Sequence, residues 1–237
     1  MPSWNIHLAI AKKLNEKLNV EKNSFYIGNL LADVDKDQNI SRKLTHYDNL
    51  ICKNCPTEQL PNIEEFLKDY KEKLNNNSLI LGYYSHLLAD YFYNNYVFTN
   101  CWIQNDNNQV IKIKLKNGKT IKTNPNDTTQ RKKYKHYDFE LYGKYLFNNN
   151  YVELPKYNEN IEKEIHDLKN EFYTKEHIKR RISYLNNDFA KENKYKLSEK
   201  LFKQKYKLFT KDELDKIFND CILFILNNIN KQKNETK

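Results

Sequence analysis

Residues 78–98 read SLILGYYSHLLADYFYNNYVF and form the most apolar stretch of the chain. Polar residues interrupt it too often for a membrane span, and its length and periodicity predict a central, buried helix. His86 and Asp90 are four residues apart, so they share one face of this helix. Burial of an unpaired carboxylate is costly, so Asp90 needs a cation, a metal or a network of hydrogen-bond donors.

A simple buried His–Asp pair would explain these two residues alone, but other polar side chains also lie within apolar segments. His7 faces inward on a predicted helix, Asp33 closes the run GNLLADV, and His46 lies in a predicted long loop. Imidazole nitrogen with carboxylate oxygen suits zinc, and also manganese or iron. The predicted metal ligands are His7, Asp33, His46, His86 and Asp90.

The rest of the chain also predicts mainly helical structure, because it contains only 4 Gly and 5 Pro. Ile111, Ile113 and Leu115 alternate with lysines before Asn117-Gly118, which predicts an inserted β-hairpin around residues 109–124 with a two-residue turn. The fold class is therefore all-α with one inserted hairpin. Helices are predicted at 5–18, 24–34, 62–75, 78–98, 136–148, 158–172, 175–192 and 211–231, with a long loop at 35–60.

We expect a single domain over 1–237, with a metal-site core at 1–98, a basic hairpin insertion at 99–135 and a helical remainder at 136–232. Residues 150–237 show no chemistry of their own. His166 and His177 lie there among charged residues, and a surface position is predicted for both.

The chain has 40 Lys and Arg against 31 Asp and Glu, a formal charge of +9, which favours contact with anions or is simply a solvated surface. Lys114 and Lys116 on the hairpin, with Lys132 and Lys133 further along, are candidates for steering a phosphoester, an anionic lipid head group or nucleic acid. Alternatively, the hairpin lysines protect an edge strand from aggregation.

The N-terminus lacks a basic segment followed by an apolar run, so no signal peptide is predicted and a cytoplasmic location is expected. The four cysteines should then be thiols. Cys52 and Cys55 have the spacing of half a zinc knuckle, but the second half is missing and their role stays open. No protein partner can be inferred from the sequence.

Four ordered pieces of the first hundred residues resemble one known family. They are Trp4-Asn5-Ile6-His7, the run from Gly28 to Asp33, Thr45-His46, and the run from Leu81 to Asp90. At these pieces the chain is similar to the bacterial zinc-dependent phospholipases C, which share a fold with the single-strand-specific zinc nucleases. The resemblance implies a phospholipase C-like multi-helix domain that binds zinc.

The resemblance also implies how the metals are held. Asp33, His46, His86 and Asp90 would bind one zinc, and His7 with Asp90 a second, so that Asp90 bridges the two. Asp33 would be the catalytic residue, as general base or as the group that orients the attacking water.

The sequence departs from the family pattern at two places. Trp4 is internal, whereas secreted members use a processed N-terminal Trp as a ligand, so Trp4 is expected to pack beside the site and is only an additional candidate. A further His that the family places after Asp90 is missing, since tyrosines lie there. A third zinc is therefore doubtful, with His136 and Glu140 as candidate ligands and Asp138 as the alternative to Glu140 or a local cap.

The function expected from the sequence is a metal-dependent phosphoric ester hydrolase, a phospholipase C-like phosphodiesterase that uses a zinc-activated water. Two alternatives remain open. One is a single-strand nuclease of the same fold, and the other is a non-catalytic binding protein that the metal stabilises.

Overall fold

The computed structural model describes residues 2–34, 40–193 and 205–235, and helices dominate these ranges. No helix among them is both long and apolar enough to cross a membrane. The helices are α1 (Trp4–Leu18), α2 (Lys22–Gly28), α3 (Arg42–Thr45), α4 (Ile63–Tyr70), α5 (Ser78–Asn100), α6 (Thr129–Asn148), α7 (Glu159–Ile165), α8 (Lys175–Tyr184), α9 (Ala190–Asn193) and α10 (Lys211–Glu235), with 3-10 turns at Leu31–Val34 and Lys71–Lys73 and a π-helical turn at Leu185–Phe189.

Helix α5 is the central helix, as its sequence predicts. Asn77 caps it, since its side chain accepts a hydrogen bond from the backbone N–H of Ile80. The helix is buried along its first thirteen residues apart from Ser78, and it packs against α1, α2, α4, α7 and α10. Because α5 is buried on nearly all sides, its ionisable residues are held away from water.

Two glycines let α2 approach α5 more closely than any other residue would allow. A Cβ atom on Gly82 would lie 2.2 Å from the carbonyl oxygen of Phe25, and one on Gly28 would lie 2.2 Å from that of Leu79. In both cases the obstacle is backbone, which cannot rotate away. The close contact places the segment after α2, which includes Asn29 and Asp33, directly against α5.

Two small antiparallel sheets complete the structure. The first pairs β1 (Asp48–Cys52) with β2 (Cys55–Pro61). The second has the order β3–β4–β5 and consists of Trp102–Gln104, Val110–Lys114 and Thr120–Lys122. The all-α class with an inserted hairpin is confirmed, and β3 is an additional strand that the sequence pattern did not predict.

The prediction of one long loop at 35–60 is wrong for its described part, residues 40–60, which contains α3, β1 and most of β2; residues 35–39 lie outside the described ranges. The strands were missed because β1 buries only Cys52 fully, and so shows no alternation of apolar and polar residues. Pro56 within β2 also argued against a strand.

Helix boundaries differ from the predictions at several places. Helix α6 begins at Thr129, seven residues before its predicted start, so part of the expected insertion is helical. Helix α7 ends at Ile165 rather than near 172. The predicted two-residue turn at Asn117-Gly118 is also wrong: Leu115 N–H donates to Lys119 O and Gly118 N–H to Leu115 O, which closes a three-residue loop with Gly118 at φ 77°.

We expect the Gly82→Ala substitution to destabilise the protein by about 1–3 kcal/mol or more, because the added methyl group forces α2 and α5 apart. Thermal unfolding followed by circular dichroism measures the change. Gly118→Asn is the matched control, since no atom lies within 4 Å of the position and Asn tolerates positive φ. An unchanged melting temperature for Gly82→Ala would show that the close contact is not a constraint.

Candidate metal centre

Five predicted ligands converge from four separate segments. Helix α1 supplies His7, and α5 supplies His86 and Asp90 one turn apart. The 3-10 turn after α2 supplies Asp33, and His46 is the C-cap residue of α3. All five residues are 0% exposed, so the structure buries two carboxylates among three imidazoles.

The donor atoms of these residues lie close together. Asp90 Oδ1 is 3.3 Å from His7 Nε2, while Asp90 Oδ2 is 3.8 Å from both His46 Nε2 and His86 Nε2. Asp33 Oδ1 is 3.4 Å from His46 Nε2. Ligand atoms on a tetrahedral zinc are separated by roughly 3.3 Å when each lies about 2 Å from the metal. The spacing therefore fits donors arranged around an ion.

Two overlapping groups of donors have a spacing that could hold a metal. One consists of His7, His86 and Asp90, and the other of Asp33, His46 and His86, with the donor atoms of each group within 4.8 Å of one another. No cysteine belongs to either group, and these are the groups found in the described part of the chain. Cys52 and Cys55 are instead buried partners across the β1–β2 turn.

Several donor atoms lack a partner of good hydrogen-bond geometry among the described residues. These atoms are Nε2 of His7, His46 and His86 and both carboxylate oxygens of Asp90. Buried polar atoms are nearly always satisfied, and a group left unsatisfied calls for an ion or a water. Nitrogen and oxygen donors that are buried, convergent and unsatisfied in this way fit zinc.

The other ring nitrogens are already engaged. His86 Nδ1 lies 2.7 Å from the carbonyl oxygen of Asn29, which can only accept, so Nδ1 carries the hydrogen and Nε2 presents its lone pair. His46 Nδ1 lies 2.8 Å from Thr45 Oγ1. The hydroxyl of Tyr83 donates to the carbonyl oxygen of Thr45 and so ties the end of α3 to α5. Asn29 and Thr45 were present in the sequence motifs, but their bonding could not be inferred from them.

The protonation states also suit metal binding. Burial and the neighbouring imidazole of His7 lower the pKa of His86 to about 3, so this imidazole is neutral at physiological pH. Burial alone would raise the pKa of Asp90, but the imidazoles of His86 and His7 beside it outweigh that effect and hold its pKa well below the usual range. The centre therefore combines a neutral imidazole with an ionised carboxylate.

Asp33 is held on its outer side by Trp4 and Arg181. The indole N–H of Trp4 donates to Asp33 Oδ2 at 2.7 Å, and Nη2 of Arg181 donates to the main-chain oxygen of Asp33 at 3.1 Å. The Arg181 guanidinium also lies 4.4 Å from the centre of the Trp4 ring. Trp4 thus packs beside the centre and contacts Asp33 by its side chain. Arg181 was not predicted, because nothing in the charged sequence of α8 distinguishes it.

Arg42 approaches the centre at a different ligand, Asp90. Its Nη2 atom is 3.6 Å from Asp90 Oδ2, and its Nε atom donates to Asp48 Oδ2 at 2.8 Å. Arg42 also lines a cleft together with Asp48, Asn94, Lys132 and Lys135. We call this the Arg42 cleft.

The structure does not bring every predicted site residue into the buried centre. His136 and Glu140 are exposed and line a pocket that also contains Trp4, while His136 lines the Arg42 cleft as well. Lys132 lines the Arg42 cleft, whereas Lys114, Lys116 and Lys133 do not.

The alternatives for Asp138 are narrowed, because its carboxylate accepts hydrogen bonds from the backbone N–H groups of Lys207, Leu208 and Phe209 at 2.7 to 3.1 Å, which argues against a metal at this residue. The surface position predicted for His177 is wrong, since this residue is buried at 5% exposure. His166 is exposed, as predicted.

We expect the His86→Ala substitution to lower zinc affinity by more than about 100-fold, because even a residue that only orients a ligand contributes about 10- to 100-fold. Competition with a chromophoric chelator, together with elemental analysis, measures the loss. The exposed His166→Ala variant should keep the affinity of the parent. Equal zinc content in both variants would contradict the assignment of the centre.

Asp138→Ala should instead lower the melting temperature and leave zinc affinity unchanged, because it removes three backbone hydrogen bonds and no metal ligand. The two measurements made on one preparation separate these roles. A fall in zinc affinity at an unchanged melting temperature would restore Asp138 as a ligand.

Comparison with known families agrees with this geometry. A family model described as zinc-dependent phospholipase C matches residues 5–196, a range that includes all five convergent residues together with Arg181. No curated protein and no solved structure gives a significant match. Because the match spans most of the chain, the protein belongs to the zinc-dependent phospholipase C family.

Proposed function

We propose that the protein is a zinc-dependent phosphoric ester hydrolase that acts as a phospholipase C-like phosphodiesterase. The observation that carries the proposal is the convergence of three imidazoles and two carboxylates, all 0% exposed, with unsatisfied donor atoms directed at one another. Zinc sites without thiolates are more typical of catalysis than of a structural role. Family membership supports the same chemistry.

The proposed ligand arrangement follows from the two oxygens of Asp90. Oδ1 is directed at His7, whereas Oδ2 is directed at His46 and His86. Asp90 can therefore bridge two ions, one shared with His7 and the other with Asp33, His46 and His86. Zinc bound there would lower the pKa of a water molecule and polarise a phosphoryl oxygen.

Asp33 is proposed as the residue that orients the attacking water or accepts its proton. Trp4 engages its Oδ2 atom, and its Oδ1 atom lies on the side of His46. The main-chain bond from Arg181 fixes the backbone at the same residue. A carboxylate held at both its side chain and its backbone keeps one geometry through the reaction, which general base catalysis requires.

His136 and Glu140 remain the candidate ligands for a third zinc, on the edge of the pocket that also contains Trp4. A single domain over the whole chain and a cytoplasmic location are also proposed. The four cysteines support that location, since all are free and buried, as expected in a reducing compartment.

We expect a chelator to abolish hydrolysis of bis(p-nitrophenyl) phosphate, and two equivalents of zinc to restore it. Asp33→Asn should reduce kcat by about 100-fold or more while zinc remains bound, since general base catalysis contributes about 10²- to 10⁴-fold. Initial rates and elemental analysis on the same samples measure both effects.

The control for this experiment is Asp106→Asn, which changes the same functional group at an exposed position. Full activity in the chelated protein would exclude a zinc hydrolase. Bound zinc without turnover on phosphomonoesters, phosphodiesters and lipids would favour the non-catalytic binding protein. Turnover confined to single-stranded oligonucleotides, with binding that falls steeply with salt, would favour the nuclease.

A further inference from the structure

The Arg42 cleft lies next to the metal centre and is open to solvent. Arg42 connects the two, because its guanidinium lies 3.6 Å from Asp90 and also lines the cleft. The cleft is therefore a candidate position for a group attached to a phosphorus at the centre. The charges of the cleft therefore bear on which group is accepted.

The acidic residues that line the cleft are each paired with an arginine. Asp48 accepts a hydrogen bond from Arg42 at 2.8 Å, and Glu58 lies 3.4 Å from the buried guanidinium of Arg131. Arg131 is fixed in place, since it also donates to three backbone carbonyls of the loop before α6. Neither carboxylate thus offers an unbalanced negative charge to a bound group.

Among the described residues, the lysines of the cleft have no acidic partner of this kind. Lys43 and Lys132 are exposed at its rim, and Lys135 is 6% exposed at its base, where it donates to the uncharged amide oxygen of Asn94 at 2.7 Å. Positive charge therefore exceeds negative charge along the walls. Such a cleft attracts an anion and repels a cation.

The aromatic lining also argues against a quaternary ammonium group. Recognition of such a group uses the faces of several aromatic rings. Phe98 is the one Phe, Tyr or Trp among the described residues that line the cleft, and the ammonium of Lys135 already lies 5.2 Å from the centre of its ring. A choline group would find neither an aromatic cage nor an unpaired carboxylate there.

We propose that the Arg42 cleft is the subsite for the retained group of the substrate and that it selects a group carrying an additional anion, such as a second phosphate, over a cationic group such as choline. This inference rests on the proposed function and extends it to substrate class. Lys132 is assigned as a specificity-determining residue, because it is exposed and lines the same cleft as Arg42.

The test compares three soluble dibutanoyl lipids: phosphatidylcholine, phosphatidylinositol and phosphatidylinositol 4-phosphate. The last two differ only by one phosphate group. With the zinc-loaded protein we expect kcat/KM to be at least about tenfold higher for the phosphorylated inositol lipid than for the unphosphorylated one, and lowest for choline. A ratio of one or less between the inositol lipids, or a preference for choline, would overturn the inference.

The matched variants are Lys132→Glu and Lys133→Glu, which make the same change of charge at adjacent exposed positions. Only Lys132 lines the cleft. Lys132→Glu should abolish the preference for the second phosphate through KM, whereas Lys133→Glu should keep the preference. Equal effects in both variants would show that the preference comes from the overall electrostatic potential of the surface and not from a subsite in the cleft.

Binding separates a failure of this inference from a failure of the proposed function. Absence of turnover on all three lipids would count against the hydrolase, but calorimetry with inositol 1-phosphate and inositol 1,4-bisphosphate still tests the subsite. Tighter binding of the bisphosphate that is lost in Lys132→Glu supports the inference. Equal binding of the two would overturn it.

Discussion

The buried charge of Asp90 is the constraint on which the rest of the structure depends. A carboxylate at 0% exposure is stable only if its surroundings compensate for the water it has lost. Three imidazoles, each within 3.8 Å of Asp90, and the guanidinium of Arg42 at 3.6 Å surround this carboxylate, and a bound metal would complete the compensation. None of these groups is on the same helix as Asp90 except His86. The fold therefore has to bring several segments of the chain together around Asp90.

The positions of those segments are set by backbone packing more than by the ligands. Gly28 and Gly82 allow α2 and α5 into direct contact, and this contact brings Asn29 close enough for its carbonyl to orient His86. The hydroxyl of Tyr83, on the next residue of α5, secures the turn that presents His46. Two glycines and the phenol of Tyr83 thus fix the positions of the segments that carry the imidazoles and carboxylates. Loss of either glycine would disturb the centre without altering a single donor.

The sequence predicted those features that depend on neighbouring residues within one segment of the chain. The spacing of His86 and Asp90, the inward face that carries His7, and the apolar run that ends at Asp33 all follow from helical periodicity, and the family resemblance added the pairing of ligands. Arg181 and the partners of Asp138 could not be predicted, because each contact joins residues far apart in the chain. The β1–β2 hairpin was missed for another reason: one fully buried side chain in β1 gives no alternating pattern.

The contact between Trp4, Asp33 and Arg181 has a consequence for how the protein folds. The hydrogen bond from Arg181 spans 148 residues, so it forms only after most of the chain has been ordered. Contacts of such separation are closed late, because the entropy of the intervening chain opposes them until other packing has reduced it. A nascent chain that has emerged only as far as α5 already carries all five donors, yet it lacks the guanidinium that fixes the backbone of Asp33. A zinc ion bound by the proposed ligands during synthesis would therefore meet an Asp33 whose backbone is not yet fixed by Arg181.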